Sequence, residues 1–139
     1  MITRCNHWPE KLDFFIQEKR DQAFDWAKNN CAFFAADWVN ILVGLDLAAE
    51  YRDKITSPLA AYRAIKAAGE VDAIAAEQLA AAGFPEIPVN HAHRGDVVTT
   101  LTRYGPAMGV HLGHFGAFCG TEGLEFIPAT QLLRAWKIA

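Results

Sequence analysis

A single cysteine, Cys31, stands where a polar turn, Asn29-Asn30, gives way to an amphipathic helix. The unpaired N–H groups of a helix's first turn point at that position, and the helix dipole favours negative charge there. A thiol so placed ionises more easily than a free thiol, whose pKa is about 8.5. Cys31 is therefore a candidate nucleophile. The alternative is a small apolar residue on the buried face of the helix.

The other cysteines and the histidines form no pattern typical of a metal site or a disulfide framework. Cys5 and Cys119 lie far from Cys31 in the sequence, and no CxxC pair is present. His91 and His93 lack the cysteine or carboxylate spacing that would complete a zinc site. We therefore predict no metal and no cofactor, and structural roles for Cys5 and Cys119.

Apolar residues at helical spacing fill the first half of the chain. The pattern predicts helices over residues 9–20, 31–43, 58–68 and 71–82. Ser57-Pro58 is typical of a helix start, with serine as the N-cap and proline in the first turn. Gly44 and Gly69 are typical of helix ends. The charged stretch 50–54 predicts a solvated loop.

Pro85 and Pro88 mark a linker, after which the pattern changes to short β-branched and aromatic runs. Predicted strands cover residues 96–101, 107–112, 115–119, 124–127 and 135–138, with a tight turn at 113–114. Helices followed by strands indicate an α+β fold with an antiparallel sheet, which we expect to be a meander. A length of 139 residues suits a single domain, 1–139, with a helical part, 1–84, and a strand part, 94–139.

The charge balance and the apolar pattern exclude several classes of partner. Thirteen basic and sixteen acidic side chains give a formal net charge of −3, with no basic block. Nucleic acid is therefore not an expected partner, because phosphate binding needs a clustered basic surface. The sequence contains no run of about twenty apolar residues, so we predict no membrane span. The first residues show no apolar segment typical of a signal peptide, so we expect a soluble protein made in a reducing cytoplasm.

Four short segments carry a likeness to a known family. They are Asn30-Cys31-Ala32-Phe33-Phe34, Arg94-Gly95-Asp96-Val97-Val98, Gly109-Val110-His111-Leu112-Gly113 and Ala135-Trp136-Lys137-Ile138. The chain resembles the NlpC/P60 superfamily of papain-like cysteine hydrolases, whose pattern is DCSGF, then GDLV, then HVGIYLG, and specifically its degenerate relatives of phage origin. The resemblance spans about residues 24–139 and implies N-terminal helices packed on a small C-terminal antiparallel sheet.

The resemblance assigns Cys31 the role of the nucleophile. Laid over residues 107–113, the third motif places Ala107 where the catalytic histidine belongs, and alanine cannot take a proton from a thiol. His111 and His93 are the alternative bases. His111 shares a strand face with Ala107 but lies about 13 Å further along the strand. His93, just before the first strand, could fold back over the site.

The vacancy at Ala107 favours a phage tail or tail-assembly component that retains the fold without a complete catalytic site. Such a protein would bind other phage tail proteins and lie in the tail of the virion, after synthesis in the host cytoplasm. The alternative is an active cysteine peptidase or amidase that cleaves cell-wall peptidoglycan, with Cys31 as the nucleophile. A third hypothesis is a host-encoded amidase or acyltransferase of the same fold.

Overall fold

The computed structural model describes residues 2–25, 28–103 and 105–139. Helices come first: α1 (Trp8–Lys19), α2 (Cys31–Val43), α3 (Ala49–Arg52), α4 (Pro58–Ala68) and α5 (Val71–Ala81). Strands follow: β1 (Glu86–Ile87), β2 (Val97–Thr102), β3 (Gly105–His111), β4 (Phe115–Cys119), β5 (Leu124–Pro128) and β6 (Arg134–Trp136). Short 3₁₀ turns cover Val89–His91 and Ala129–Gln131. This arrangement confirms the predicted α+β fold with N-terminal helices and a C-terminal antiparallel sheet.

The two helices with the clearest capping residues have the bounds that the sequence predicts. At the start of α2, Asn30 Oδ1 accepts the Phe33 N–H at 2.9 Å. At the start of α4, Ser57 Oγ accepts the Ala60 N–H at 3.1 Å. Gly44 ends α2 with a left-handed φ of 80°, which glycine adopts without steric cost. Local capping chemistry therefore decides where both helices begin and where α2 ends.

The charged stretch 50–54 is not the solvated loop that its composition predicted. Part of it forms the short helix α3. Arg52 turns back toward α2, where it donates hydrogen bonds to Asp46 at 2.8 Å and to Asp37 at 2.7 Å. Its guanidinium also lies 5.0 Å from the centre of the Phe33 ring. The prediction was wrong because Arg52 is held partly by residues of another helix, which local composition does not reveal.

The strands lie in the order β1-β6-β2-β3-β4-β5, and every neighbouring pair is antiparallel. β2 to β5 form a meander, but β6 crosses back to the free edge of β2, where Val97 lies opposite Trp136. The prediction of one continuous meander was therefore wrong for the last strand. β1, inside the predicted linker, pairs with β6 through Glu86 and Trp136. Both differences concern pairing between distant segments, which the local periodicity does not specify.

α2 is the central helix and packs between α1 and the sheet. The rings of Phe34 and Trp38 lie 5.2 and 5.6 Å from the ring of Phe15 on α1, and all three are buried. Val97 and Val110 join this cluster from the face of the sheet that packs on α2, which we call the inner face. The outer face has a separate cluster of Val98, Phe118, Leu132 and Ala135. This packing sets the start of α2 against the strands.

Candidate functional site

Cys31 is the first residue of α2, and its neighbours in the sheet define the candidate site. The side chain is half-buried and forms no disulfide. It packs against the inner-face cluster that contains Met108 of β3, and the Met108 N–H acts on the thiol as a hydrogen-bond donor. Cys119, at the end of β4, packs against the same cluster. We call Cys31, Met108 and Cys119 the Cys31 site.

The strand register explains why Met108 and Cys119 share the inner face. Gly109 of β3 lies opposite Phe118 of β4, and Met108 and Cys119 each lie one residue beyond this last pair of the ladder. Side chains alternate between the two faces of a sheet. Phe118 belongs to the outer cluster, whereas Met108 and Cys119 lie on the inner face. Cys31 therefore packs on the face that carries the Met108 thioether and the Cys119 thiol.

Burial dominates the electrostatics of both thiols. It raises the pKa of Cys31 above its ordinary value, while the backbone N–H groups of Met108, Ala32 and Cys31 itself lower the pKa by less. Burial also raises the pKa of Cys119 to about 12, with a further contribution from the neighbouring Cys31. Both thiols are protonated at neutral pH. Desolvation thus outweighs the helix-start effect from which the sequence predicted an easily ionised Cys31.

Asn29 connects the turn before α2 to β4. Its amide nitrogen Nδ2 donates to the carbonyl oxygens of Gln22 and Ala23, at 3.3 and 3.1 Å. Its oxygen Oδ1 accepts the thiol of Cys119 at 3.6 Å. The side chain is buried, so these contacts satisfy a polar group that would otherwise be costly to bury. Asn29 therefore has a positioning role at the edge of the Cys31 site.

The two histidines predicted as alternative bases lie together at the other end of β3. His111 is three residues beyond Met108, about 10 Å along the strand, and its side chain belongs to the opposite face. Burial lowers the pKa of His111, while the nearby Asp96 raises it and His93 lowers it. The structure brings His93 and His111 together around Asp96, and it brings neither to Cys31.

Ala107, where the resemblance expects the catalytic histidine, also points away from Cys31. It packs against the outer cluster that contains Val98. Met108, one position further along, belongs to the inner-face cluster, and its N–H acts on the Cys31 thiol. A shift of one residue in a strand moves a side chain to the other face, so Ala107 does not share the face on which Cys31 packs.

Asp96 is a buried carboxylate that accepts hydrogen bonds from separate segments of the chain. Its Oδ1 accepts from the Arg4 guanidinium at 2.8 Å and from the Ile138 N–H at 3.1 Å. Its Oδ2 accepts the His93 N–H at 2.9 Å. These donors come from both ends of the chain and from the segment before β2. The carboxylate therefore joins three separate parts of the molecule.

A cleft of about 360 Å³ opens beside Asp96, far from the Cys31 site, and is lined in part by Arg4, Trp8, Arg94 and Lys137. Its two guanidinium groups are already engaged within the protein. Arg4 pairs with Asp96 and lies 4.4 Å from the centre of the Trp8 ring, and Arg94 pairs with an aspartate of α1. We assign this cleft no ligand.

Two classes of feature are absent from the described residues. In residues 2–25, 28–103 and 105–139, no group of three or more His, Cys, Asp or Glu side chains is arranged to hold a metal ion. Across that same part of the chain, no helix is both long enough and apolar enough to cross a membrane.

A family profile matches residues 3–138, which is almost the whole chain, and is described as a domain of unknown function (DUF6950). The chain belongs to the DUF6950 family. Comparison with curated proteins and with solved structures gives no significant match. The family description assigns DUF6950 no activity, so the argument about its chemistry depends on the geometry of the Cys31 site.

Sequence reasoning missed Met108 and Cys119 as the neighbours of Cys31 in this DUF6950 chain. The signal was nevertheless present, because the predicted turn at 113–114 places residues 108 and 119 at equal distances on either side of it. A hairpin centred on that turn pairs Met108 with Cys119, and alternation then puts both on one face. The face that α2 covers could not be deduced, because it depends on tertiary packing.

Proposed function

We propose that this chain is a phage tail or tail-assembly component with an NlpC/P60-like fold whose catalytic site is incomplete. The family assignment in this proposal is supported by the four sequence motifs and by a cysteine at the start of a helix that packs on an antiparallel sheet. The proposal that the site is inactive depends mainly on the position of Met108. Its N–H acts on the Cys31 thiol from β3, its side chain lies in the buried inner-face cluster, and a thioether cannot accept a proton from a thiol at neutral pH.

The remaining contacts of Cys31 agree with a retained but inactive site. Cys119 lies near the thiol on β4, and because its own pKa is about 12 it is protonated at neutral pH and cannot accept the proton of Cys31. His93 and His111 are held around Asp96 at the far end of β3. On this proposal the protein works through contacts with other tail proteins in the virion, after its synthesis in the host cytoplasm.

One observation favours the alternative, an active cysteine peptidase or amidase acting on peptidoglycan. The N–H groups of Cys31, Ala32 and Met108 converge on the thiol. Backbone N–H groups at a helix start are the usual donors to an oxyanion in acyl transfer. Without a base to take the proton of the thiol, these N–H donors leave Cys31 protonated. We therefore rank this function second.

The first test is the rate of alkylation of each cysteine by iodoacetamide as a function of pH, measured residue by residue by mass spectrometry. Because burial raises the pKa of Cys31, we expect a slow reaction near neutral pH that accelerates only above about pH 9. Cys5 serves as the internal reference. A Cys31 that reacts much faster than Cys5 near pH 6 would contradict the proposal and favour the peptidase.

The second test concerns the phage itself. Cys31→Ser in the encoding phage should leave the number of infectious particles unchanged, with Cys119→Ser as the matched control. Mass spectrometry of purified virions should find the chain in the tail fraction. A loss of infectivity with Cys31→Ser alone, in a variant with unchanged thermal unfolding, would establish a chemical role for the thiol. Absence of the chain from tails and from tail-assembly intermediates would refute the structural role.

A further inference from the structure

α1 presents an exposed acidic face with an aromatic residue at its centre. The residues on this face are Glu10, Lys11, Asp13, Phe14, Gln17 and Glu18, which fall within one side of a helix with 3.6 residues per turn and carry three carboxylates and one ammonium. Phe14 is 66% exposed, although phenylalanine is usually buried. The opposite side of α1 carries the buried Leu12 and Phe15. We call the exposed side the acidic face of α1.

α4 presents an exposed face of the opposite charge. Leu59 and Tyr62 are 56% and 59% exposed, and Arg63 and Lys66 lie beside them on the same side of the helix. The Lys66 ammonium lies 5.6 Å from the centre of the Tyr62 ring. We call these four residues the basic face of α4.

The fold of the single chain engages these faces only in part, through the ion pair of Asp13 with Arg94 and the contact of Lys66 with Tyr62. Among the α4 residues whose side chains the structure describes, Ala61 is the buried one, and α4 packs mainly on α5. Leu59 and Tyr62 each leave more than half of their surface exposed. Contiguous exposed apolar surface with a polar rim is typical of a protein–protein interface.

We propose that the acidic face of α1 in one copy of this chain binds the basic face of α4 in a second copy. Charge complementarity carries the proposal. On α1, Glu10 and Glu18 lie one turn to either side of Phe14, with Lys11 beside them, and on α4 two cations flank a leucine and a tyrosine. Docking would cover Phe14 with Leu59 and Tyr62, and it would set Glu10 and Glu18 opposite cationic side chains.

The proposed contact joins one face of each kind, so a single such contact between two copies is heterologous. The pair then retains one free acidic face and one free basic face, and further copies can add until a ring closes or an open chain forms. Two helix faces of three turns make a small interface, which is typical of weak and salt-dependent association. This inference does not rest on the proposed tail function.

The first experiment is sedimentation velocity over micromolar to several hundred micromolar concentrations, at low and high salt. We expect concentration-dependent association that weakens as salt is raised. Glu10→Lys with Glu18→Lys should weaken it about tenfold, and so should Arg63→Glu with Lys66→Glu. All four changes in one chain should restore association, because the signs are again complementary. Glu77→Lys with Glu122→Lys is the control for the α1 variant, since it changes the net charge by the same amount at exposed positions elsewhere.

The second experiment distinguishes a heterologous contact from a symmetric one. Phe14→Asp inactivates the acidic face and Leu59→Asp inactivates the basic face, so each variant alone should remain monomeric. An equimolar mixture should form a dimer and nothing larger, because each variant supplies the face that the other lacks. A wild-type chain that stays monomeric at every concentration, or a mixture that forms no dimer while both variants keep the wild-type circular dichroism, would overturn the proposal.

Discussion

A cysteine at a helix start is subject to two opposing effects, and Cys31 shows which is larger here. The helix dipole and first-turn N–H groups favour the thiolate by about 0.3–1 kcal/mol at exposed sites. Burial can shift a pKa by several units in the opposite direction. The raised pKa of Cys31 shows that burial dominates. A base within hydrogen-bonding reach is the component that would reverse this balance, and the two predicted histidine bases lie around Asp96 instead.

Met108→His should convert the Cys31 site into a more reactive one. An imidazole at position 108 would face the thiol and stabilise a thiolate–imidazolium pair, so the alkylation rate of Cys31 at about pH 6.5 should rise at least tenfold. Ala107→His is the matched control, because its side chain belongs to the outer face. Mass spectrometry of the alkylated peptides measures both rates. A larger acceleration with Ala107→His would mean that the register of β3 is misassigned.

His111 should make stability depend on pH near neutrality. Its Nδ1 accepts the Gly113 N–H at 3.0 Å, and burial lowers its pKa below the ordinary value of 6.5. Below pH 6.5 the unfolded chain therefore binds a proton at this histidine more readily than the native chain does. The contribution of His111 to the free energy of unfolding is complete above that pH and is lost as the pH decreases toward the native pKa. Urea midpoints between about pH 7.5 and 5.5 measure this loss.

His111→Asn keeps a hydrogen-bond acceptor near the position of Nδ1 but removes the titration. The variant should lose much of the decrease in urea midpoint. His91→Asn, at an exposed position, should leave the decrease unchanged. If both variants retain the wild-type slope, another group accounts for the pH dependence.

At the scale of elements, caps fix where helices start, and pairing partners decide which strands meet. Asn30 and Ser57 satisfy first-turn N–H groups from the side chain, which is a local property that the sequence shows directly. The placement of β6 beside β2 has no local signal, because it requires a connection across the sheet. The start of α2 is thus set locally, while the strands opposite it are set by topology.

Asn30→Ala should destabilise the protein by about 1 kcal/mol, because the Phe33 N–H loses its side-chain acceptor at a buried helix start. Asn30→Ser should retain most of the stability, since serine is also a good N-cap. Asn40→Ala, at an exposed position within α2, is the control and should be near neutral. Urea unfolding compares the variants. Equal midpoints for Asn30→Ala and wild type would show that the cap contributes little.

At the scale of the whole molecule, Asp96 joins segments that are far apart in the sequence. It holds the Arg4 side chain, the His93 N–H and the Ile138 N–H at one buried carboxylate. The Arg94–Asp13 pair nearby is much more exposed, since the Asp13 side chain retains 68% of its accessible surface. The two ion pairs therefore allow a direct comparison of buried and exposed charge within one protein.

Asp96→Asn should destabilise the fold by about 3 kcal/mol, because it leaves a partly buried guanidinium and backbone donors without their charged partner. Asp13→Asn should cost no more than about 0.5 kcal/mol, because exposed pairs are screened by solvent. Urea unfolding at neutral pH measures both. Similar costs for the two variants would contradict the central role of Asp96.

The sequence alone determined the α+β class, the bounds of α2 and α4, and the position of Cys31 at a helix start. These features follow from periodicity and capping residues, whose effects act within a few residues. Only the tertiary structure decided which side chains face Cys31. That answer depends on which face of β3 and β4 packs under α2, and on the burial that keeps the thiol protonated. The periodicity shows that a strand has two faces, but packing selects the one that meets the helix.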